Sequence, residues 1–156
     1  MLIKNLSYIL EDIKETETVK KLFEEYDVSV EEINHIPVCF KELEVSARTD
    51  HGIIYLNKNM LKNPAAIAHY LVHEITHYLQ QTTGDGPTEG STDDNYLDNE
   101  YEKEGFNVQT EYLSEISGDK AAEKYINHVL DHHEVSNKER QKRKKELLNL
   151  ADNSKD

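Results

Sequence analysis

The chain contains a single cysteine among its 156 residues. It therefore cannot form an internal disulfide bond, and a reducing cytoplasm is the compartment that we expect. Cys39 stands in the apolar segment Ile36–Phe40, whose composition predicts a buried strand and not a reactive thiol.

Long apolar runs are also missing. No stretch is apolar over the roughly 20 residues that a helix needs to span a bilayer. The first ten residues lack the apolar core and the small-residue cleavage site of a secretory signal. We therefore expect neither a membrane anchor nor an export signal in this sequence.

Basic residues are scarce beside acidic ones: 18 lysines and arginines stand against 31 aspartates and glutamates, and the formal net charge is −13. This charge repels phosphate backbones, so we expect no nucleic-acid partner for the whole molecule. Residues 138–145 are an exception, because six of these eight residues are basic. They predict a solvated helix face, and contact with nucleic acid or an acidic partner is the alternative.

The length fits one domain over residues 1–156, with a tail after about residue 150 that we expect to be flexible. Hydrophobic residues make up 37% of the chain and charged residues 31%. This composition lies on the polar side of globular proteins without reaching that of disordered chains. We therefore expect a folded, soluble protein.

The first half of the sequence predicts a scaffold helix followed by a small sheet. Apolar residues three and four positions apart indicate an amphipathic helix over Glu17–Tyr26. Three short runs have the composition of strands: Ile36–Phe40, Leu43–Ala47 and Gly52–Leu56. The turn-forming residues 49–52 predict a hairpin between the last two runs.

The second half predicts helices. Asn63 followed by Pro64 is a typical helix start, and helix-forming residues continue from Ala65 to about Gln81. Residues 84–99 are rich in Gly, Pro, Ser, Thr, Asp and Asn, and predict a surface loop. Further helices are predicted over Glu100–Ile116, Lys120–His132 and Lys138–Leu148.

The sequence HEITH at residues 73–77 matches HExxH in the middle of a predicted helix. Residues four apart share a helix face, so His73 and His77 can direct both imidazoles at one point. Imidazole nitrogens bind Zn²⁺ at about 2.0–2.1 Å, and a site with three protein ligands leaves a fourth position for water. Glu74 can take a proton from that water. These residues predict a zinc site with Glu74 as the general base.

The predicted order of sheet hairpin, edge strand, HExxH helix, loop and glutamate-bearing helix resembles that of the gluzincin branch of the zincin metallopeptidases. The resemblance covers Ala47 to about Leu113. It implies an α+β, zincin-like fold in which a small mixed β-sheet packs against the HExxH helix and further C-terminal helices. In gluzincins the third ligand is a glutamate on a following helix, followed after two residues by a small residue. Glu102 to Gly105 has this pattern, so the resemblance implies Glu102 as the third ligand. The segment HEITHYLQQ is also similar to the active-site helix of small bacterial and phage-type metallopeptidases.

Other acidic residues compete for the third position. Glu100 and Glu104 lie two residues away from Glu102 on either side, so their side chains point elsewhere on a helix. Glu102 stands one turn before Phe106, on the face that we expect to be inward. Asp94 stays an alternative, because its segment is similar to the Gly-Thr and aspartate segment of the aspzincins, although the spacing differs. The longer metzincin pattern is absent, since no third histidine follows closely.

Several further residues have two interpretations. We expect His69 beside the site or on the surface, because three ligands in one row of a helix cannot surround an ion. Tyr112 or a histidine of the following helix could stabilise an oxyanion, although a core tyrosine and exposed histidines are the simpler interpretation. The histidines of the following helix are His128, His132 and His133. Arg48 could bind a substrate carboxylate or be a charge on the sheet surface.

The function that we expect is that of a zinc-dependent peptidase acting on a peptide or protein substrate. Glu74 would take a proton from water and pass it to the leaving amine. The segment Ile53–Leu56, interpreted as an edge strand, would bind an extended peptide by strand addition. The alternative is a non-catalytic zinc protein with a structural or regulatory role. A peptidase kept latent by one of its termini is a third hypothesis.

Overall fold

A computed structural model describes residues 2–83, 97, 99–133 and 135–150 of the chain. The described residues form six α-helices, two short 3₁₀ helices and a three-stranded mixed sheet. This confirms the α+β class and the small mixed sheet expected from the sequence. The α-helices are α1 (Leu2–Lys14), α2 (Glu17–Glu25), α3 (Pro64–Thr82), α4 (Glu100–Ser117), α5 (Asp119–His132) and α6 (Asn137–Leu147). The strands are β1 (Val38–Lys41), β2 (Ala47–Asp50) and β3 (Ile53–Asn57), and the 3₁₀ helices cover Val30–His35 and Lys58–Lys62.

Helix α3 carries the HExxH sequence, and its bounds lie within one residue of those predicted. Pro64 occupies the first turn, where the missing N–H would have no partner within the helix. Apolar residues at four-residue spacing bury one face of α3 in the main core. They are Ile67, Leu71, Ile75 and Leu79. Strand β2 and helix α4 pack on the remaining sides, so the HExxH side chains are enclosed as well.

The sheet has the order β1-β3-β2, with β1 parallel and β2 antiparallel to β3. The expectation that Ile53–Leu56 is an edge strand is therefore wrong. The amide of Ile54 donates to the carbonyl of Pro37 at 2.9 Å, and the amide of Asn57 donates to the carbonyl of Ser46 at 2.8 Å. Since β1 returns from earlier in the chain to pair with β3, the sheet edge that contacts α3 most closely is β2.

The predicted hairpin is present, but its first strand is β2 and not Leu43–Ala47. His51 and Gly52 alone form the turn, and both have the positive φ (51° and 75°) that a tight two-residue hairpin turn requires. The segment before β2 stays outside the sheet. The side-chain amide of Asn57 donates to the carbonyls of Leu43 and Val45 at 2.8 and 3.0 Å, which holds this segment as a loop.

Cys39 is exposed, so the expectation that it lies in a buried strand is wrong. Strand β1 begins at Val38, and side chains alternate between the two faces of a strand. Val38 and Phe40 pack against the main core, which places Cys39 on the outer face.

Two apolar clusters meet at α4. The main cluster joins α1, α2, β3 and α3, and Tyr112 of α4 belongs to it. A smaller cluster joins Phe106 of α4 to Ile126, Leu130 and Leu147 of the last two helices. Helices α5 and α6 pack mainly on α4 and on each other. Helix α4 is therefore the element that connects the two parts of the interior.

The carboxylate of Glu115 on α4 binds the start of α2. It accepts the amides of Glu17 and Thr18, both at 2.9 Å, and the hydroxyl of Thr18 at 2.6 Å. Amides of a first helical turn have no partner within the helix, and the helix dipole favours negative charge there. Glu115 thus caps α2 and ties it to α4.

The basic residues 138–145 lie on α6, largely exposed to solvent as expected. Lys103 of α4 forms an ion pair with Glu146 at 2.8 Å, which helps to hold this helix in place. The predicted tail and nearly all of the predicted loop over 84–99 lie outside the described residues. Among the helices that the structure describes, none has both the length and the apolar composition needed to cross a membrane.

Candidate metal centre

Three side chains from two helices meet at one point in the interior. His73 and His77 come from α3, and Glu102 comes from the first turn of α4. Oε1 of Glu102 lies 3.0 Å from Nε2 of each histidine, and the two Nε2 atoms are 3.1 Å apart. All three residues are between 3% and 6% exposed. The structure thus brings together the three residues predicted as metal ligands.

The spacing and chemistry of these atoms suit one metal ion. Tetrahedral bonds of about 2.0–2.1 Å place ligand atoms roughly 3.3 Å apart, close to the separations observed. Two imidazoles and a carboxylate are a donor set that divalent transition metal ions accept. Within the described part of the chain, no other group of three or more His, Cys, Asp or Glu side chains could hold a metal ion.

The electrostatics of the group favour a positive charge among the three side chains. Burial lowers the pKa of His77, but the hydrogen bond to Glu102 and the charge of Glu74 outweigh burial and raise the pKa to about 9. Burial raises the pKa of Glu102, but His73 and His77 reverse this and hold the pKa well below its usual range. A buried carboxylate facing two imidazoles therefore attracts a proton or a metal cation to the same place.

The imidazole of His77 is held by Gln80, one turn further along α3. Nδ1 of His77 lies 2.7 Å from Oε1 of Gln80. The amide nitrogen of Gln80 donates to the carbonyl of Tyr101 at 3.1 Å and to Glu104 at 2.7 Å. Glu104 also accepts the hydroxyl of Tyr26 at 2.6 Å. A hydrogen-bonded series thus runs from the end of α2 through α4 to His77.

The imidazole of His73 is held by Gln109 on α4. Nδ1 of His73 lies 3.0 Å from Oε1 of Gln109, and Gln109 is fully buried. The amide nitrogen of Gln109 lies 2.7 Å from Nδ1 of His69, so His69 accepts this hydrogen bond. Burial and the neighbouring His73 lower the pKa of His69 to about 4, which keeps it neutral. Of the two positions expected for His69, beside the site or on the surface, the structure shows the first.

Two tyrosines complete this side of the centre. Tyr125 of α5 packs edge-on against His69, with ring centroids 4.9 Å apart, and against Tyr70 at 6.0 Å. Burial is the main reason that the pKa of Tyr125 is raised, so its hydroxyl keeps its proton.

Glu74 is held from the side of the sheet. The hydroxyl of Thr49 donates to Oε1 of Glu74 at 2.8 Å, and both residues are buried. Thr49 lies in β2 and not in the predicted turn, and this register places its hydroxyl against α3. A buried carboxylate needs such a donor, so Thr49 fixes one oxygen of Glu74.

Gly105 lets α4 approach α3 closely beneath His73. A Cβ atom at this position would lie 2.8 Å from Cε1, 2.9 Å from Nε2 and 3.1 Å from Nδ1 of the His73 ring. Ordinary contacts of a Cβ begin at 3.4 Å. The small residue three positions after Glu102 therefore has a steric role here: a larger one would displace a candidate ligand.

The other acidic candidates do not reach the three ligand atoms. Glu100 is exposed at the start of α4, and Glu104 is turned toward Tyr26 and Gln80. Asp94 lies outside the described residues. Only Glu102 shares the inward face of α4 with Phe106, as the helical spacing predicts.

The three histidines of the α5 region are exposed, the simpler of the two interpretations. Burial and the neighbouring His132 lower the pKa of His133, and the charge of Glu102 opposes them.

Tyr112 and Arg48 also follow the simpler interpretation. Tyr112 is buried in the main core, where burial and the charges of Asp12 and Glu115 raise its pKa to about 12. Arg48 alternates with Thr49 on β2, so it points to the opposite face of the sheet, and it pairs with Asp50 at 2.5 Å.

Three residues at the centre had no role predicted, namely Thr49, Gln80 and Gln109, whereas Gly105 belongs to the pattern on which the choice of Glu102 rests. A signal existed for Gln109, because a glutamine on an apolar helix face has to find a buried partner. Gln80 carries a weaker signal, since it follows His77 by three residues and can lie on the same face. The role of Thr49 depends on the sheet register and could not be found from local sequence.

Comparison with family models, with curated proteins and with solved structures finds no match to this sequence.

Proposed function

We propose that this protein is a zinc-dependent peptidase with a zincin-like fold, acting on a peptide or protein substrate. The observation that carries the proposal is the buried convergence of His73, His77 and Glu102, with Glu74 beside His73 on the same helix. A purely structural zinc site has no need of a carboxylate next to its ligands, and it commonly has four protein ligands.

Zinc fits the donor set of this centre. Two imidazole nitrogens and one carboxylate oxygen are the ligands found in several catalytic zinc sites, and three protein ligands leave one position open. When bound, zinc would polarise the carbonyl of a peptide bond and lower the pKa of a water molecule.

Glu74 is the residue that would move the proton. Thr49 holds Oε1 of Glu74 at 2.8 Å, so the carboxylate has a fixed orientation beside the ligands. Glu74 would accept the proton of the attacking water and deliver it to the leaving amine nitrogen. Because Glu74 is buried, it would exchange this proton with the substrate more readily than with bulk solvent.

We place the peptide-binding edge at β2 in this proposal, because β3 is the central strand of the sheet. Thr49 pairs with Ile54, whose amide is directed to β1, so the main-chain groups of Thr49 face the outer edge of the sheet, where its carbonyl accepts the side-chain amide of Gln81 at 2.6 Å. An extended peptide adding to β2 would lie beside the strand that holds Glu74.

The test is zinc binding and peptide hydrolysis by the purified chain. Near-stoichiometric zinc in the wild type and its loss in His73→Ala and Glu102→Ala are expected. A peptide mixture read by mass spectrometry should show cleavage by the wild type and none by Glu74→Gln, which keeps all three ligands. Zinc binding without any cleavage would indicate the non-catalytic alternative, and absence of zinc from the wild type would overturn the proposal.

A further inference from the structure

We propose that Gln80 and Gln109 are positioning residues that fix the tautomers of His77 and His73, so that both imidazoles present Nε2 as a lone pair at the same point. The inference rests on the proposed zinc site, since the tautomers matter only where Nε2 binds metal. Each glutamine contacts one candidate ligand at Nδ1, at 2.7 Å for His77 and 3.0 Å for His73.

The orientation of the Gln80 amide is determined by its acceptors. Its nitrogen faces a main-chain carbonyl and the carboxylate of Glu104, and both of these groups can only accept. Its oxygen must then face Nδ1 of His77, and an amide oxygen can only accept. Nδ1 of His77 therefore carries a hydrogen, and Nε2 of the neutral ring is the lone pair directed at Glu102 and His73.

The amide of Gln109 does the same for His73 from the other side. Its nitrogen donates to Nδ1 of His69 at 2.7 Å. Its oxygen accepts from Nδ1 of His73. With the amide reversed, its nitrogen would face Nδ1 of His73, the ring hydrogen would move to Nε2, and His73 could not bind a metal there.

A neutral amide has a different effect from a carboxylate at these positions. Ligand histidines commonly donate their second N–H to an acceptor that orients the ring, and a carboxylate acceptor also makes the ligand more basic. Two amides orient the rings without adding negative charge. Among the described residues, Glu102 is then the only acidic side chain that supplies an atom to the group of possible metal ligands. A metal ion held here would keep most of its power to polarise a carbonyl.

The series beyond Gln80 extends this positioning to α2. Glu104 of α4 accepts hydrogen bonds from both Gln80 and Tyr26. The bond from Tyr26 helps to fix the Glu104 carboxylate, and the carboxylate in turn fixes the Gln80 amide. Tyr26 follows the last residue of α2 and contacts none of the candidate ligands. Removing its hydroxyl should therefore loosen Gln80 slightly without touching the centre.

The experiment compares four variants of the full chain: Gln80→Leu, Gln109→Leu, Gln109→Glu and, as the matched control, Gln81→Leu. Gln81 is also a glutamine of α3 with two hydrogen bonds, to the amide of Gly52 at 2.9 Å and to the carbonyl of Thr49 at 2.6 Å, but it contacts no candidate ligand. Zinc affinity is measured by competition with a chelating dye. The imidazole N–H protons are observed by NMR of zinc-loaded protein with ¹⁵N-labelled histidine.

We expect the wild type to show two protected Nδ1–H signals from the zinc ligands. Gln80→Leu should remove the protection of the His77 signal, Gln109→Leu that of the His73 signal, and each should weaken zinc binding about 10–100-fold. Gln109→Glu keeps an acceptor at Nδ1 and should retain the His73 signal, with zinc affinity no lower than that of the wild type because a carboxylate makes the ligand more basic. Gln81→Leu should match the wild type in both measurements.

Each contrary outcome has one meaning. A wild type that binds no zinc overturns the proposed function and this inference with it. A wild type that binds zinc, with the Gln80 and Gln109 variants behaving like Gln81→Leu, overturns the positioning role alone. If Gln109→Leu fails to fold, the signals and affinity of Gln80→Leu and Gln109→Glu still decide the question.

Discussion

The Gly105→Ala substitution tests whether the approach of α4 to α3 is set by the ring of His73. The added methyl would stand 2.8 Å from Cε1 and 2.9 Å from Nε2 of His73. To reach an ordinary contact of 3.4 Å, the ring or the helix has to move by about 0.6 Å. Metal sites tolerate deviations of about 0.2 Å in ligand distances. The substitution should therefore weaken zinc binding even though it adds only one methyl group.

Two effects of opposite sign act on the metal-free protein. Alanine in a helix interior is favoured over glycine by about 0.8–1.0 kcal/mol. Overpacking a closely packed interior costs about 1–3 kcal/mol. We expect the free energy of unfolding without metal to fall by no more than about 2 kcal/mol. Zinc affinity should fall about 10–100-fold, which corresponds to about 1.4–2.8 kcal/mol.

The assay is a competition titration with a chelating dye, combined with urea unfolding without metal. Gly118→Ala is the matched control: Gly118 caps α4 with φ 93° and ψ 165°, and nothing lies within 4 Å of an added Cβ. This backbone region costs other residues about 1–3 kcal/mol, so Gly118→Ala should lower stability and leave zinc affinity unchanged. Wild-type zinc affinity in Gly105→Ala would refute the steric role of Gly105.

Three further predictions follow from the contacts of the centre. Thr49→Val removes the hydroxyl that donates to Glu74. Hydrogen bonds to charged groups contribute about 1.5–3 kcal/mol, so kcat/KM for peptide hydrolysis should fall about 10–100-fold. Zinc affinity should stay unchanged. Zinc has to displace the proton of His77, whose pKa is raised to about 9, so the apparent zinc affinity should rise about tenfold per pH unit from pH 7 and level off above about pH 9. Calorimetry in buffers of different ionisation enthalpy should show about one proton released per zinc ion at pH 7. Zinc at 100 times its Kd should raise the free energy of unfolding by about 2.7 kcal/mol, and His73→Ala should abolish this dependence in urea unfolding.

Each of these predictions has a result that would contradict it. An unchanged kcat/KM in Thr49→Val would show that Glu74 needs no hydroxyl donor. A zinc affinity independent of pH between 7 and 9 would mean that His77 is already neutral in the metal-free protein. Equal stabilisation of the wild type and of His73→Ala by zinc would place the bound ion elsewhere.

The parts of the centre that depend on helical spacing could be predicted from the sequence. His73 and His77 share a face because a helix repeats every 3.6 residues, and the apolar residues around them indicated the helix almost to its last residue. Glu102 could be chosen over Glu100 and Glu104 for the same reason, since only one of the three can face inward with Phe106.

The parts that depend on contacts between distant segments could not be predicted. The order of strands in a sheet cannot be determined from the sequence of one strand, so the pairing of β1 with β3, which makes β3 the central strand, could not be predicted. The start of β2 depends on the side chain of Asn57, ten residues after Ala47, which holds the preceding segment outside the sheet. The register that follows places Thr49 against Glu74. Cys39 is exposed because side chains alternate along β1, and Val38 and Phe40 occupy the face that packs on the core.

The position of α4 between two apolar clusters has a consequence for how the molecule opens. Helices α5 and α6 pack mainly on α4, while α3 belongs to the main cluster. Segments that bury little apolar surface against the rest of a protein can unfold on their own, at a lower free energy than the whole. A cation that joins Glu102 of α4 to the histidines of α3 would oppose any opening that separates these two helices. An opening confined to α5 and α6 would leave all three ligands in place, so metal binding should protect α3 and α4 more than the C-terminal helices.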